Sequence, residues 1–341
     1  MTPHKVLQFS LQTIIILLLV GITNRTHCDI KLPAYTKTPT ELARPKISFW
    51  LSKKPEREAT RTQAWCLPSL KKNPPAVHEN VTFVAAPWYD ILQQLVRHQT
   101  ASSPLINASF GSKKFSNGAV ILDHDLVRNG FALFKKLGIT RIFTCSGHRN
   151  YFKKFQDAGI EVISQLFPPL ERITPAPHRD ILYSFVGASS THGIRAKVLR
   201  LPQRPGVVLK DRGKFFWYHK GARAKKWKND YRNIMSRSRF ALCPSGGSPF
   251  TFRLSEAIWS GAVPVLITNN THILPPGIDW DRYIIQVHGK EIHNLDKIIR
   301  AIPIEQEEEM RANCFQLART LDADPAHFIR VYFAEQLTQQ Q

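Results

Sequence analysis

The stretch FALCPSGGSPFTFRLSEAIWSGAVPVLI, residues 240–267, is the most informative part of the chain. It reads as a strand at Phe240–Cys243, a glycine-containing loop, a helix at Phe252–Ser260 and a second strand at Ala262–Ile267. A glycine loop between strand and helix lets backbone N–H groups approach a ligand, and the free N–H groups at the helix start attract anions. The stretch therefore predicts an anion-binding turn within a parallel α/β sheet.

The residues around the start of that helix suit a nucleotide sugar. Arg253 lies in the first turn and Glu256 follows three positions later, so the two side chains share one face. A cation for a diphosphate beside an acceptor for ribose hydroxyls, preceded by Ser245, Gly246 and Gly247, is what such a site needs. The alternative is an ordinary Arg253–Glu256 ion pair beside a turn, and the spacing alone favours neither interpretation.

Short β-rich runs alternate with amphipathic stretches along most of the chain. We predict strands at Ile47–Leu51, Val81–Ala85, Ala119–Leu122, Arg141–Cys145, Glu161–Ser164, Asp180–Gly187 and Gly206–Lys210, in addition to the two named above. Helices are predicted at Trp88–His98, Leu126–Leu137, Tyr151–Ala158, Gly193–Leu201, Trp227–Arg237, Glu291–Ala301 and Glu305–Leu321, with a last helix capped by Asp324. Such alternation is typical of parallel sheets covered by helices. The proline-dense segment 167–177 then separates two doubly wound α/β domains, 46–170 and 178–338.

The N-terminus resembles a targeting segment. Residues 6–22 are largely apolar, but only Ile14–Ile22 is uninterrupted. A secretory signal needs about 7–15 apolar residues and a spanning helix about 20. We therefore predict that residues 1–23 are either a signal peptide or a signal anchor, and the sequence favours neither. Residues 24–45 are predicted to be a proline-containing linker or stem. The expected location is the secretory pathway: a Golgi-type membrane or lumen in a eukaryote, and export or membrane association otherwise.

The charge of the chain predicts acidic partners. Lys and Arg number 47 against 26 Asp and Glu, a net charge of +21, while hydrophobic and aromatic shares of 43% and 10% exclude a disordered chain. The basic stretch Lys210–Arg232 contains interleaved aromatic residues that could stack on a nucleic acid, but they also suit a core. No nucleic-acid-binding signature accompanies it. The five cysteines are widely spaced and form no zinc motif.

The central stretch resembles the signature of the exostosin family, glycosyltransferase family 47, which reads roughly F-C-L-C-P-x-G…R-x-x-E-A-x-x-x-G-C-[VI]-P-V-[IL]. The matching residues are Phe240, Leu242, Cys243, Pro244, Gly246, Arg253, Glu256, Ala257, Gly261, Val263, Pro264 and Val265. Arg179–Gly187 with Arg195 upstream, and Leu274-Pro275 with Asp279-Trp280 downstream, resemble further family elements. The chain departs at Ala241 and Ala262, where animal members often have cysteine. The resemblance covers about residues 160–300, and the first half matches far less clearly.

This resemblance implies a GT-B fold, in which two Rossmann-like domains face a cleft. The C-terminal domain would hold the nucleotide sugar, with a UDP-sugar expected first, and the N-terminal domain a glycan or glycoconjugate acceptor. It implies inverting transfer, in which an acceptor hydroxyl displaces the nucleoside diphosphate in a single step. Arg253, together with Arg195 and the helix dipole, would replace a metal, so no cofactor is expected. Glu256 would hold the ribose.

The general base that this reaction needs is the least determined residue. Asp123 and Asp125 follow a predicted strand, at the end where α/β sites gather, and His148 follows another. Asp123-His124-Asp125 also spells the D-x-D metal signature of the other glycosyltransferase fold, which the C-terminal signature disfavours. An equally good interpretation is that Asp123 and Asp125 are solvent-exposed carboxylates of a surface loop. Cys145 and His148 could form a thiol–imidazole pair, although a structural thiol is the commoner explanation.

Two other functions compete with the enzyme. A non-catalytic relative that binds glycans or polyanions would keep the fold without turnover; the presence of Arg253 and Glu256 speaks against it, and the unassigned base keeps it open. A basic nucleic-acid-binding protein is the other candidate, and the apolar N-terminal segment argues against it. We expect a membrane contact through that segment and no nucleic-acid partner.

Overall fold

The computed structural model describes residues 46–52, 61–98, 104–122, 125–145, 149–213, 221–246, 251–269 and 274–339. The predicted signal or anchor segment and the predicted linker lie outside these residues. Within them, no helix combines the length and the apolar character that crossing a membrane requires. Both sheets belong to one unit of the chain, Pro45–Gln341.

The first half forms a five-stranded parallel sheet whose strands follow chain order from one edge to the other. The strands are β1 (Ile47–Leu51), β2 (Val81–Ala85), β3 (Gly118–Leu122), β4 (Ile139–Thr144) and β5 (Glu161–Ser164). The helices are α1 (Arg61–Lys72), α2 (Trp88–His98), α3 (Pro104–Phe110), α4 (Phe131–Leu137) and α5 (Arg149–Gln156), with a 3-10 helix at Asp125–Gly130.

Alternate residues of these strands pack into two separate cores. Val120 and Ile142 face the core made with α2 to α5, whereas Ile121 and Phe143 face the core made with α1 and the last helix of the chain. Successive strand residues point to opposite faces, so a strand covered on both sides is apolar throughout. This explains why β3, the sequence GAVIL, is buried along its whole length.

The second half forms another five-stranded parallel sheet, in the order β10-β9-β8-β6-β7. Its strands are β6 (Ile181–Gly187), β7 (Val207–Asp211), β8 (Ser238–Pro244), β9 (Val263–Thr268) and β10 (Ile285–His288). Its helices are α6 (Gly193–Leu199), α7 (Gly221–Arg237), α8 (Phe252–Ser260), α9 (Leu295–Arg300), α10 (Ile304–Ala323) and α11 (His327–Thr338). The strand order reverses between β6 and β8, so this sheet is doubly wound as predicted. Among the described strands, the first sheet has no such reversal, and the prediction that it is doubly wound is wrong, because each of its strands is added on the same side of the preceding one.

The predicted strand–helix alternation is confirmed, and the differences are local. The helix predicted at Leu126–Leu137 is split, because a 3-10 turn ends at Gly130, where a Cβ atom would come within 2.5 Å of Phe134. The last helix does not begin at Asp324. It begins at His327, and Asp324 instead accepts a hydrogen bond from the Ala326 N–H, 3.1 Å away, in the preceding turn. Helix α1, which contains Pro68, helix α3 and the short strand β10 were not predicted.

The two halves are packed against each other at several places, of which two are the most extensive apolar contacts. Phe167, the first residue of the predicted interdomain linker, and Leu166, directly before it, are buried in one apolar cluster with Cys243 of β8 and Leu254 of α8. Helix α11, although last in sequence, packs on the first sheet through residues such as Phe333. The division at residues 170 and 178 stays a prediction, and the segment between the sheets is a packed part of the structure.

Candidate functional site

The carboxyl ends of β6 and β8 form the point at which the second sheet reverses its strand order. In open α/β sheets, ligands bind outside the carboxyl ends of the strands at this position. Gly187 ends β6 there, and Ser245 and Gly246 directly follow β8. Helices α6 and α8 are the next helices after these two strands, so their first turns lie at the same edge.

Two arginines from those helices meet over one aromatic ring. Arg195 of α6 is 4% exposed, and its Nε donates to the carbonyl oxygen of Ser245 at 3.1 Å. Arg253, in the first turn of α8, donates to the carbonyl oxygen of Val186 in β6. Their guanidinium carbons lie 5.9 and 4.6 Å from the ring centre of Phe185. Burial, and secondarily the charge of Arg253, lower the pKa of Arg195 to about 9.

The glycines of this edge make room for the two arginines. A Cβ atom on Gly246 would lie 2.6 Å from Nη2 of Arg195. One on Gly187 would lie 2.8 Å from Cζ of Phe185 and 3.2 Å from Nη2 of Arg253. The predicted close approach at Gly246 therefore involves a guanidinium of the protein itself. Gly247, the other predicted loop glycine, lies outside the described residues.

Hydrogen-bonding capacity is left over at the start of α8. Nε of Arg253 and Oγ1 of Thr251 are buried, and neither has a hydrogen-bond partner within the described part of the chain. Thr251 occupies the N-cap position without capping the helix through its side chain. The first N–H groups of a helix also lack intrahelical acceptors. Together with two cations, these donors make the edge suited to an anion with several oxygen atoms.

The carboxylate of Glu256 accepts hydrogen bonds from other parts of the protein. Glu256 is 4% exposed, and its carboxylate accepts a hydrogen bond from the hydroxyl of Tyr231 in α7 and another from the backbone of Glu171. Burial raises the pKa of Glu256, against the opposing effects of the Tyr231 hydrogen bond and the positive charge of Arg253. Among the ion pairs of the described residues, none joins Arg253 to Glu256, so the simple helix ion pair is not what the structure shows. The role of Glu256 towards ribose stays a prediction.

The structure does not test the three base candidates. Asp123 and His148 lie outside the described residues, and of Asp125 only the backbone, at the start of the 3-10 helix, is described. The topology places the loops after β3 and β4 at neighbouring strand ends, since these strands pair directly. Cys145, which follows β4, is fully buried among apolar residues, as expected of a structural thiol.

Some residues of this site were not singled out from the sequence. Thr251, directly before a helix, carries an N-cap signal that could have been used. Phe185 belongs to Arg179–Gly187, which resembles a family element, but its contact with the two arginines was not predicted. Tyr231 could not be recognised, because an aromatic residue on an amphipathic helix is ordinarily core. Among the described residues, no group of three or more His, Cys, Asp or Glu side chains is arranged to hold a metal ion.

A comparison with models of protein families identifies the family of this chain. The model of the exostosin GT47 domain matches residues 129–302, just over half of the 341 residues. The chain belongs to the exostosin GT47 family. This match starts before the last strands of the first sheet and includes every described residue of the arginine site.

Curated relatives match over short segments of this GT47 chain. A probable glycosyltransferase of Arabidopsis thaliana is 43% identical over 79 residues, which are 23% of this chain and 17% of the relative. The probable glucuronosyltransferase GUT1 of Oryza sativa subsp. japonica is 31% identical over 141 residues, 33% of each chain. The probable β-1,4-xylosyltransferase IRX10 of Arabidopsis thaliana is 34% identical over 106 residues, 26% of this chain and 25% of the relative. The matches span a third or less of these relatives.

Solved structures resemble the GT47 chain only distantly. HepE of Anabaena in complex with UDP and glucose aligns with a TM-score of 0.41 and 11% identity, covering 86% of this chain and 98% of that one. MurG of Acinetobacter baumannii aligns with a TM-score of 0.33 and 9% identity, over 82% and 99% of the two chains.

Proposed function

We propose that this GT47 chain is an inverting glycosyltransferase of the GT-B arrangement, which transfers a sugar from a UDP-sugar to a hydroxyl of a glycan or glycoconjugate. The observation that carries the proposal is the pair of arginines, Arg195 and Arg253, at the strand-order reversal of the second sheet. Relatives are named as probable glucuronosyl- and xylosyltransferases, so UDP-glucuronate and UDP-xylose are the first donors to test.

In this proposal the diphosphate occupies the start of α8. Arg253 and Arg195 face its charge, and the helix N-terminus adds N–H groups and a favourable dipole. As the bond between the sugar and the diphosphate breaks, negative charge grows on the leaving oxygen, and cations already held in place stabilise that change without reorganising. Two fixed guanidinium groups and a helix end supply the positive potential, so we propose that donor binding does not need a metal.

Glu256 would bind the ribose hydroxyls of the donor. A carboxylate has about four acceptor positions, so the hydrogen bonds from Tyr231 and the Glu171 backbone leave capacity for a ligand. Tyr231 is then a positioning residue, because it fixes the carboxylate that contacts the nucleoside.

The first half of the chain would bind the acceptor. Its hydroxyl attacks the anomeric carbon, the bond to the diphosphate breaks, and the hydroxyl proton passes to a base at the carboxyl edge of the first sheet. Asp123, Asp125 and His148 remain the candidates for that base, since they follow adjacent strands. We place this reaction in the secretory pathway, to which residues 1–23 would direct the chain as a signal or an anchor.

Nucleotide binding tests the proposal without knowledge of the acceptor. The full chain is unfolded thermally with UDP, GDP and CMP, each with and without EDTA. A ligand at 100-fold its Kd adds about 2.7 kcal/mol of stability. We expect UDP to stabilise the protein in EDTA, and Arg253→Lys and Arg195→Lys to reduce that effect, because a lysine cannot reproduce the planar contacts of arginine.

Lys197→Ala is the matched control, since Lys197 is an exposed cation on the same helix as Arg195. It should leave the UDP effect unchanged. Absence of stabilisation by any nucleotide would contradict the donor site and favour the glycan- or polyanion-binding relative. A UDP effect that disappears in EDTA would contradict metal-independent binding alone.

A further inference from the structure

A buried amide lies unpaired at the carboxyl edge of the first sheet. Gln165 directly follows β5 and is 2% exposed. Its backbone N–H bonds to the carbonyl oxygen of Thr144 at 2.9 Å, but its side-chain Nε2 is buried with no hydrogen-bond partner in the described residues. Leaving such a donor unpaired costs about 1–3 kcal/mol, and buried polar groups are nearly always satisfied. The amide is therefore a donor in need of an acceptor.

Gln165 lies next to the contact that joins the two halves. Two positions further on, the carbonyl oxygen of Phe167 accepts a hydrogen bond from Oγ of Ser255 at 2.5 Å. Ser255 belongs to α8 and follows Arg253 by two residues. Because two residues extend at most about 7 Å, the backbone of Gln165 is held close to the helix that carries the proposed diphosphate site.

In the proposed reaction, the transferred sugar lies at the carboxyl edge of the first sheet. The donor is bound by the second sheet and the acceptor by the first, so the transferred sugar must be presented towards the carboxyl edge of the first sheet. Gln165 follows β5 at that edge. The side-chain amide of Gln165 is a neutral N–H donor. It can therefore donate a hydrogen bond to a hydroxyl or a carboxylate oxygen of a sugar without introducing a charge.

We propose that Nε2 of Gln165 donates a hydrogen bond to an oxygen atom of the sugar moiety of the UDP-sugar. This inference rests on the proposed function and adds a sugar-contacting residue from the first half. Gln165 thus distinguishes the UDP-sugar from free UDP, while Arg195 and Arg253 bind the part common to both.

The test compares UDP with UDP-sugars in Gln165→Met, an unbranched replacement of similar size. Thermal unfolding of the full chain is measured without ligand, with UDP, and with UDP-glucuronate, UDP-xylose and UDP-glucose. We expect an unliganded Tm equal to or above that of the wild type, because the variant removes an unpaired donor. The UDP shift should be unchanged, and the tighter binding of the preferred UDP-sugar over UDP should fall at least fivefold.

Gln156→Met is the control, since Gln156 is an exposed glutamine at the end of α5. It should behave as the wild type with every ligand. A Gln165→Met protein that keeps the full preference for the UDP-sugar overturns the inference, and so does a wild type that binds UDP but no UDP-sugar more tightly. A lower unliganded Tm with the preference retained makes the amide structural and also overturns it. A wild type that binds no nucleotide removes the proposed function itself.

Discussion

Gly246 lies directly against the guanidinium of Arg195, so that a Cβ atom at this position would be 2.6 Å from Nη2 and 3.2 Å from the guanidinium carbon. Arg195 is buried and is fixed by the neighbouring carbonyl of Ser245. The loop after β8 and the first turn of α6 therefore share one packed contact. A glycine suits this position because the guanidinium of Arg195 occupies the space that a side chain would fill.

Gly246→Ala should displace Arg195 and weaken UDP binding by about tenfold, or 1.4 kcal/mol. The atom that the new methyl group meets is the end of a side chain, so the guanidinium moves rather than the strand, and the loss of folding stability should stay below about 2 kcal/mol. Isothermal titration with UDP and urea unfolding measure the two effects separately.

Gly193→Ala is the control for this prediction, because a Cβ atom at Gly193, also near the start of α6, would meet no atom within 4 Å. It should leave both UDP affinity and stability nearly unchanged. If Gly246→Ala binds UDP as tightly as Gly193→Ala does, the contact between Gly246 and Arg195 has no role in donor binding.

The stretch 240–267 shows how far the sequence predicts this site. Its strand–loop–helix–strand order is confirmed, and Gly261 ends α8 with a φ of 67°, as its position after the helix predicts. Local signals suffice here because glycines and apolar runs determine the backbone within a few residues. The sequence also predicts Arg253 in the first turn of α8 and Glu256 three positions later, where both are found.

The partners of those residues could not be predicted, because they come from distant parts of the chain. Tyr231, which bonds Glu256, lies on α7, and Phe185, beneath the arginines, lies on β6. The packing of α11 on the first sheet is equally non-local. Spacing along one helix suggests a pair such as Arg253–Glu256, whereas buried partners across elements determine which hydrogen bonds actually form.

The raised pKa of Glu256 predicts a specific pH dependence of stability. Burial raises this pKa above its ordinary value of 4.5, so near and above pH 4.5 the folded protein keeps a proton that the unfolded chain has lost. The contribution of Glu256 to folding therefore falls as pH rises from 4.5 through its folded pKa, by at most about 1.4 kcal/mol per pH unit. Wild type should gain stability relative to Glu256→Gln as pH is lowered from 7.5 to 5.

Urea unfolding of both proteins at several pH values measures this difference, in which the other titrating groups largely cancel. Tyr231→Phe provides a second measure, because its hydroxyl donates to the carboxylate and opposes the rise in pKa. In Tyr231→Phe the pH-dependent decline should extend to higher pH. A constant difference between wild type and Glu256→Gln across this range would show that the carboxyl is not perturbed by burial.

Ser255→Ala should loosen the connection between α8 and the segment that joins the sheets. The Ser255 hydroxyl donates to the carbonyl oxygen of Phe167, and both residues are buried. Removing the donor leaves that carbonyl unpaired, which costs about 1–3 kcal/mol in urea unfolding. Ser236→Ala loses a hydroxyl that bonds the Asn233 carbonyl in an exposed position, so it should change stability by less than about 0.5 kcal/mol. Equal effects of the two variants would contradict a structural role for the α8 contact.

Glu307 is the anionic centre of a cluster of arginines near the amino ends of β6 and β8. Its carboxylate is 1% exposed and pairs with Arg239 and Arg311, and the charge of Arg311 acts together with burial to lower the pKa of nearby Arg179 to about 10.

Glu307→Gln keeps the size of the side chain but leaves these guanidinium groups without their counter-charge. Breaking a buried pair in this way costs about 3–5 kcal/mol, and partial exposure of Arg239 and Arg311 places the expected loss near the lower figure. Glu309→Gln, a 64% exposed residue on the same helix, should cost no more than about 1 kcal/mol in the same urea unfolding experiment. Because the cluster lies outside the proposed donor site, Glu307→Gln should retain its UDP affinity under conditions where it is folded, and a loss of affinity would extend the donor site to α10.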